Sequence, residues 1–444
     1  MDILIKNASV VNEGKICIAN ILINNGLIEK ISENEINEKA QHVIDAKGLH
    51  LFPGLIDDQV HFREPGLTHK GTIYSEAKAA VAGGITSFME MPNTVPAALT
   101  QELLEDKYKI AEKNSLANYS FYIGTSNTNL EDILKTNPKN VCGVKIFMGS
   151  STGNLVVDDK QALENVFKHV KLLIATHCED DGMIKKNLET LKNKLGENIG
   201  AEMHPIIRNA DGCYASSSFA VNLAKKHNTR LHILHISTEK ELELFTNKIP
   251  LKEKRITAEA CVHHLWFSDK DYATKGNFIK WNPAIKSETD RDAILKAVLN
   301  DTIDVIATDH APHTIEEKNQ SYLNAPSGGP LVQHSLLALI EMHKQGKISL
   351  EKIAQKTAHN VADMFSINKR GYIREGYYAD LVLVDLNSKT TVTKENILSQ
   401  CKWSPFEGTT FNSQIKTTIV SGKLVYHNGI FDESSRGMRL EFDR

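Results

Sequence analysis

Eight short apolar runs, separated by spacers long enough for helices, constrain this chain more than any other feature. The runs are Leu51 to Ile56, Ile85 to Met91, Tyr119 to Ile123, Gly143 to Met148, Leu172 to Ala175, Leu231 to Ile236, Ile256 to Ala260 and Ile303 to Thr308. A continuous apolar run of this length reads as a strand covered on both faces, and amphipathic spacers supply the crossovers that parallel strands need. Eight such units predict an α/β chain built on a (β/α)₈ TIM-like barrel. The ends of the chain read differently. Residues 1 to about 50 alternate in short strands, with turn signals at Asn12-Glu13-Gly14 and Asn24-Asn25-Gly26. Strand-like alternation returns at Ile373 to Asp385 and at Thr417 to His427, around a Gly422-Lys423 turn. The expected organisation is a barrel over residues 52–370, with residues 1–51 and 371–444 combining into one small β-domain.

Bulk properties narrow the partners. The 444 residues suit one large domain and a small one. A net charge of −3 with no long basic run argues against nucleic acid or an anionic membrane. No apolar stretch approaches the ~20 residues that span a bilayer. Met1-Asp2-Ile3-Leu4-Ile5-Lys6 alternates like a strand instead of a signal peptide, so a cytoplasmic protein is expected. The 6 cysteines are scattered without a Cys-x-x-Cys pair and read as buried free thiols, not metal ligands. Residues 181–200, rich in Lys and Asn, read as a solvated helix and loop.

In such a barrel the chemistry sits at the C-terminal ends of the strands. The first run leads into Gln59-Val60-His61-Phe62-Arg63, the second into Met91-Pro92-Asn93-Thr94, and the fifth into Thr176-His177-Cys178-Glu179. The sixth leads into His235 and the eighth into Asp309-His310-Ala311-Pro312-His313. Gln59 and His61 alternate at i and i+2, so both face one side of the strand end. Imidazole is a good zinc ligand and a neutral carboxamide a poor one. Several histidines and an Asp arriving from separate strand ends point to a metal centre.

Lys145 lies inside the fourth apolar run, where an unpaired ammonium is expensive to bury. Either it pairs with a carboxylate such as Asp309, or its amine has reacted with carbon dioxide. The resulting carbamate is an anion with two oxygens that can bridge two metals, and only the deprotonated amine forms it.

Together these residues resemble the amidohydrolase superfamily and, within it, the dihydroorotases. The resemblance runs from Pro53-Gly54-Leu55-Ile56-Asp57 through Thr308-Asp309-His310-Ala311-Pro312-His313 to Trp403-Ser404-Pro405-Phe406-Glu407-Gly408. Its most specific part is His61-Phe62-Arg63-Glu64-Pro65-Gly66 combined with Met91-Pro92-Asn93-Thr94. It implies reversible, zinc-dependent hydrolysis of dihydroorotate to N-carbamoyl-aspartate in pyrimidine biosynthesis. His61, carboxylated Lys145 and Asp309 would hold one zinc, with Gln59 standing where the family has His. Lys145, His177 and His235 would hold a second, so one or two zinc ions are expected. Asp309 would carry the proton from the attacking group to the leaving nitrogen. Arg63, Asn93 and His313 would bind the substrate carboxylate. Asn282 and the loop Ala325 to Pro330 would line the ring pocket. Ala284-Ile285-Lys286 matches the family's basic residue after Asn-Pro only loosely, and His232 and His264 read as structural. Family members are often dimers, so a homodimer is expected. The alternatives are a hydantoinase or allantoinase, which would share the metals without the arginine clamp, and an inactive partner of aspartate transcarbamoylase.

Overall fold

The computed structural model describes residues 2–149, 155–157 and 159–444. Barrel strands one to three are Leu55–Val60, Ile85–Glu90 and Asn118–Phe121, paired in parallel. After a break at Tyr122, the third strand resumes at Ile123–Gly124 and pairs with the fourth, Val144–Met148. Ile174–Cys178, Leu231–Ile233, Ile256–Cys261 and Val305–Ala307 complete the parallel series. A bridge between Val60 and His310 returns the eighth strand to the first and closes the barrel. The strands are buried almost throughout, which is why their sequences run apolar instead of alternating. The exceptions are buried polar residues, several of which are partnered across the barrel. Buried Asp57 accepts from the backbone N–H and the hydroxyl of Thr308 at 3.2 and 2.6 Å, lacing strand one to strand eight.

The terminal segments share one nine-stranded sheet. Its central strand, His50–Pro53, pairs in parallel with Ile3–Asn12 and antiparallel with Leu381–Asp385. Both ends of the chain therefore meet in one sheet apart from the barrel. The apolar run Leu51 to Ile56 is two elements instead of one. The backbone N–H of Gly54 donates to Asp380 O, and the chain then enters the barrel at Leu55. Gly54 sits where any Cβ would lie 2.3 Å from the Thr86 side chain. The hairpin turns fall where Asn and Gly signalled them, with Asn25 and Gly26 both at positive φ. In the late hairpin the turning pair is Ser421-Gly422, and Lys423 already belongs to the strand. The helix Asp181–Leu195 buries none of its residues, as a solvated helix should.

Candidate active site

The strand ends open into one cavity of about 610 Å³, a size suited to a small molecule. Gln59, His61, Arg63, Asn93, Lys145, His177, His235, Asn282, Asp309 and His313 all line it. Every residue singled out from the sequence is thus brought to one place.

Two pairs of candidate ligand atoms face each other across its floor. His177 Nε2 is 2.9 Å from Glu179 Oε2, and the same carboxylate takes the Arg208 guanidinium. Burial raises the Glu179 pKa, but Arg208 and His177 outweigh it and hold the carboxyl well below its usual range. His177 donates its Nε2–H to Glu179, which leaves its Nδ1 to accept from His235 Nε2–H at 3.0 Å. His235 Nδ1 is buried without a hydrogen-bond partner among the described residues. Two ring nitrogens on a tetrahedral zinc stand about 3.3 Å apart, close to this separation. On the other side His61 Nδ1 is 2.7 Å from Asn93 Oδ1, so the imidazole donates there. Its Nε2 lone pair then faces Asp309 Oδ1 at 3.2 Å. Two pairs of imidazole and carboxylate atoms, each anchored by an outer hydrogen bond, form a donor set that a cation would fit.

Lys145 is 1% exposed. Among the described residues its Nζ has no hydrogen bond or ion pair, only the face of Phe147 at 4.6 Å from the ring centre. The carboxylate pairing with Asp309, weighed above, is therefore not the arrangement present. Burial lowers the lysine pKa to about 8, which brings the free amine within reach near neutrality.

Gln59 does something the sequence left open. Its Nε2 donates to Asp309 Oδ1 at 3.2 Å, and its Oε1 is 3.7 Å from the Cys261 thiol. The amide thus turns a donor, not a lone pair, toward the oxygen that His61 also faces.

The opposite wall is cationic. Arg63 donates through Nε to Pro312 O at 3.0 Å and lies 3.0 Å from His313 Nε2 through Nη2. Among the described residues no carboxylate lies within ion-pairing distance of it, although it is only 7% exposed. Burial pulls its pKa down to about 10. Lys70 joins this wall, 3.1 Å from His313 Nδ1 and 2.8 Å from Glu317. Asn282 Oδ1 is buried at the pocket without a partner among the described residues. Lys318 fixes the loop beside it by donating to Pro326 O and Gly328 O, at 2.9 and 2.7 Å. Lys286 instead turns to Ser237 and Ala284 O, so it supplies no charge to the cavity.

Three of these residues hold a backbone conformation that L residues seldom adopt: Arg63 at φ 76°, His235 at φ 39° and Asp309 at φ 48°. Each costs on the order of 1–3 kcal/mol and needs a surrounding that enforces it. Glu90 accepts the Arg63 N–H at 3.1 Å, Glu259 accepts that of His235 at 2.9 Å, and Trp281 Nε1 donates to Asp309 O at 3.2 Å. The sequence reading missed these three supports, along with Lys70 and Glu179. Only Glu179 left a usable signal, a carboxylate two residues after a strand-end histidine.

The family model for the amidohydrolase family matches residues 50–425, and the chain belongs to that family. Among curated relatives, the dihydroorotase of Lactococcus lactis subsp. lactis is 34% identical over 443 residues, covering 96% of this chain and 99% of that protein. The dihydroorotase of Methanosphaera stadtmanae is 31% identical over 431 residues, 96% of each chain. Among solved structures, the L-hydantoinase (dihydropyrimidinase) of Arthrobacter aurescens superposes with a TM-score of 0.92 at 25% identity, covering 97% of both chains. No helix among the described residues is long and apolar enough to cross a membrane.

Proposed function

We propose that this hydrolase of cyclic amides is a dihydroorotase, interconverting dihydroorotate and N-carbamoyl-aspartate with bound zinc. The observation that carries the substrate is Arg63, a buried guanidinium facing the cavity with no carboxylate of its own. A buried charge left unpaired is costly, so the wall of Arg63, His313 and Asn93 is built for an anionic group. Dihydroorotate has a carboxylate to place there; hydantoin and allantoin do not. The relatives of 31% and 34% identity, both dihydroorotases, support the same choice.

In this reading His177, His235 and Lys145, once carboxylated, would hold one zinc, and His61, Asp309 and Lys145 would hold the other. When bound, the metals supply hydroxide at neutral pH and polarise the ring carbonyl. The protein's own groups do the rest. Arg63 and His313 grip the carboxylate, and the Nδ2 of Asn93 is available beside them because its Oδ1 is committed to His61. Asn282 offers an acceptor to a ring N–H. Fixing the ring this way supplies the orientation that a reaction in water lacks, roughly ~7 kcal/mol at best. As the new C–O bond forms, Asp309 takes the proton of the attacking oxygen. As the ring C–N bond breaks, Asp309 returns that proton to the leaving nitrogen, which ends in the ureido group. The reading carries with it a cytoplasmic homodimer.

Metal content and dihydroorotate hydrolysis measured on one sample test this proposal, with hydantoin as the competing substrate. Zinc-dependent opening of dihydroorotate is expected. Turnover of hydantoin in preference to dihydroorotate would overturn the substrate, and a stable transcarbamoylase complex without turnover would overturn the enzyme. Arg63→Met should raise KM for dihydroorotate far more than it lowers kcat, by roughly 30- to 1,000-fold for a charge-assisted pair of 2–4 kcal/mol.

A further inference from the structure

Deeper in the barrel lies a second set of ligating atoms that the cavity does not use. Asp58 stands on the first strand, His232 on the sixth and Glu259 on the seventh, each ahead of the pocket-facing end of its strand. All three side chains are fully buried, and their candidate ligand atoms lie within 4.8 Å of one another. His232 Nε2 is 3.3 Å from Asp58 Oδ2 and 3.6 Å from Glu259 Oε2. Yet neither oxygen of Asp58, nor Glu259 Oε2, has a hydrogen-bond partner among the described residues.

The state of the imidazole follows from its other nitrogen. Thr257 Oγ1 donates its single proton to Leu231 O at 3.3 Å, and it lies 2.8 Å from His232 Nδ1. With the hydroxyl proton on Leu231 O, His232 donates at Nδ1. Nε2 then carries either a lone pair or a second proton. A lone pair would set three acceptors face to face with nothing between them. A second proton gives one N–H to two carboxylates and still leaves Asp58 Oδ1 without a donor among the described residues, deep in the barrel. A divalent cation removes both difficulties. It cancels two carboxylate charges, uses the Nε2 lone pair, and leaves the Nδ1–H on its hydroxyl acceptor, the outer contact that a ligating histidine ordinarily makes.

We infer that Asp58, His232 and Glu259 form a separate binding site for a divalent cation of the zinc or manganese type, suited to mixed nitrogen and oxygen ligands. The ion braces strands one, six and seven across the barrel interior. It also steadies the pocket, because the other oxygen of Glu259 accepts the His235 N–H.

The test uses the full chain with zinc or manganese alone as the probe. Crystals grown with a few equivalents of zinc, measured at the zinc edge, should show an anomalous peak among these three side chains, apart from any peak in the cavity. In solution, Asp58→Asn should retain about one metal equivalent fewer than the wild-type chain after dialysis. His177→Asn should keep the deep ion while losing a cavity ion. A wild-type map without the deep peak overturns the inference whatever the variants do, and the cluster is then a proton-sharing ion triad. An Asp58→Asn chain that folds and holds as much metal as wild type also overturns it. If that variant does not fold, the wild-type map decides. Failure of the proposed hydrolase would show instead as absent dihydroorotate turnover, with the deep peak still present.

Discussion

The two sides of the cavity floor are built from the same kinds of parts, and they differ in what surrounds the acceptor atoms. On the His177–His235 side, the outer nitrogen of His177 is held by Glu179, which is itself held by Arg208, and its inner nitrogen faces that of His235 at 3.0 Å. On the His61–Asp309 side, Asn93 holds His61 in the same manner, but Gln59 puts an N–H on the very oxygen that His61 faces. One side therefore meets a metal with two imidazoles and no amide donor between them, while on the other an amide N–H already occupies Asp309 Oδ1. The difference predicts unequal metal affinity within a single site, tighter at His177 and His235.

The largest effect that can separate the two sides is expected from Asp309→Asn. The change keeps the shape and removes the proton carrier, so kcat should fall on the order of 10³-fold, within the range of general acid–base catalysis. The tighter metal should remain bound. Loss of all metal along with activity would mean that the two sides are not independent. His177→Asn addresses the other side. Its removal should weaken zinc binding by more than about 100-fold and lower turnover in step with zinc occupancy, because even the partner one contact further out is worth about 10- to 100-fold. Unchanged zinc content would place the tighter ion elsewhere. Glu179→Gln tests that outer partner alone. It should weaken the same ion by roughly 10- to 100-fold while leaving the ligand set whole. A chelator competition that shows no change would make Glu179 a support for Arg208 only.

Much of this comparison was legible in the sequence. The barrel was, because a strand buried on both faces must be apolar and its spacing from the next reveals the crossover helix. The converging residues were, because strand ends in this architecture share one face, so His61, Lys145, His177, His235 and Asp309 had to meet. What could not be read is which neighbour holds each of them. Glu90, Glu259 and Trp281 pin the strained backbones of Arg63, His235 and Asp309 from other strands and loops, through contacts between residues 27, 24 and 28 positions apart. Periodicity carries no record of such pairings. The first apolar run misled for a related reason. Its residues are uniformly buried, yet half pair in the terminal sheet and half in the barrel, and only the pairing partners distinguish them.

Gln59→His should have the smallest effect and bears most directly on why the two sides differ. Gln59 is 1% exposed, packed between Asp309 and the Cys261 thiol. An imidazole of similar size there would replace the N–H on Asp309 Oδ1 with a ring that can turn a lone pair inward. The fold should tolerate this, at a cost within about 1–2 kcal/mol for a buried polar exchange that loses one hydrogen bond. The weaker ion should then bind roughly 10-fold more tightly, moving toward the affinity of its neighbour, while the tighter ion stays as it was. Zinc competition against a chelator, following two binding phases in wild type and variant, reads both at once. Convergence of the phases would show that the amide donor is what sets the sides apart. Two phases as far apart as before would assign the asymmetry to the Glu179–Arg208 support alone. In that case the weaker side would respond to changes at Asn93, which plays for His61 the part that Glu179 plays for His177.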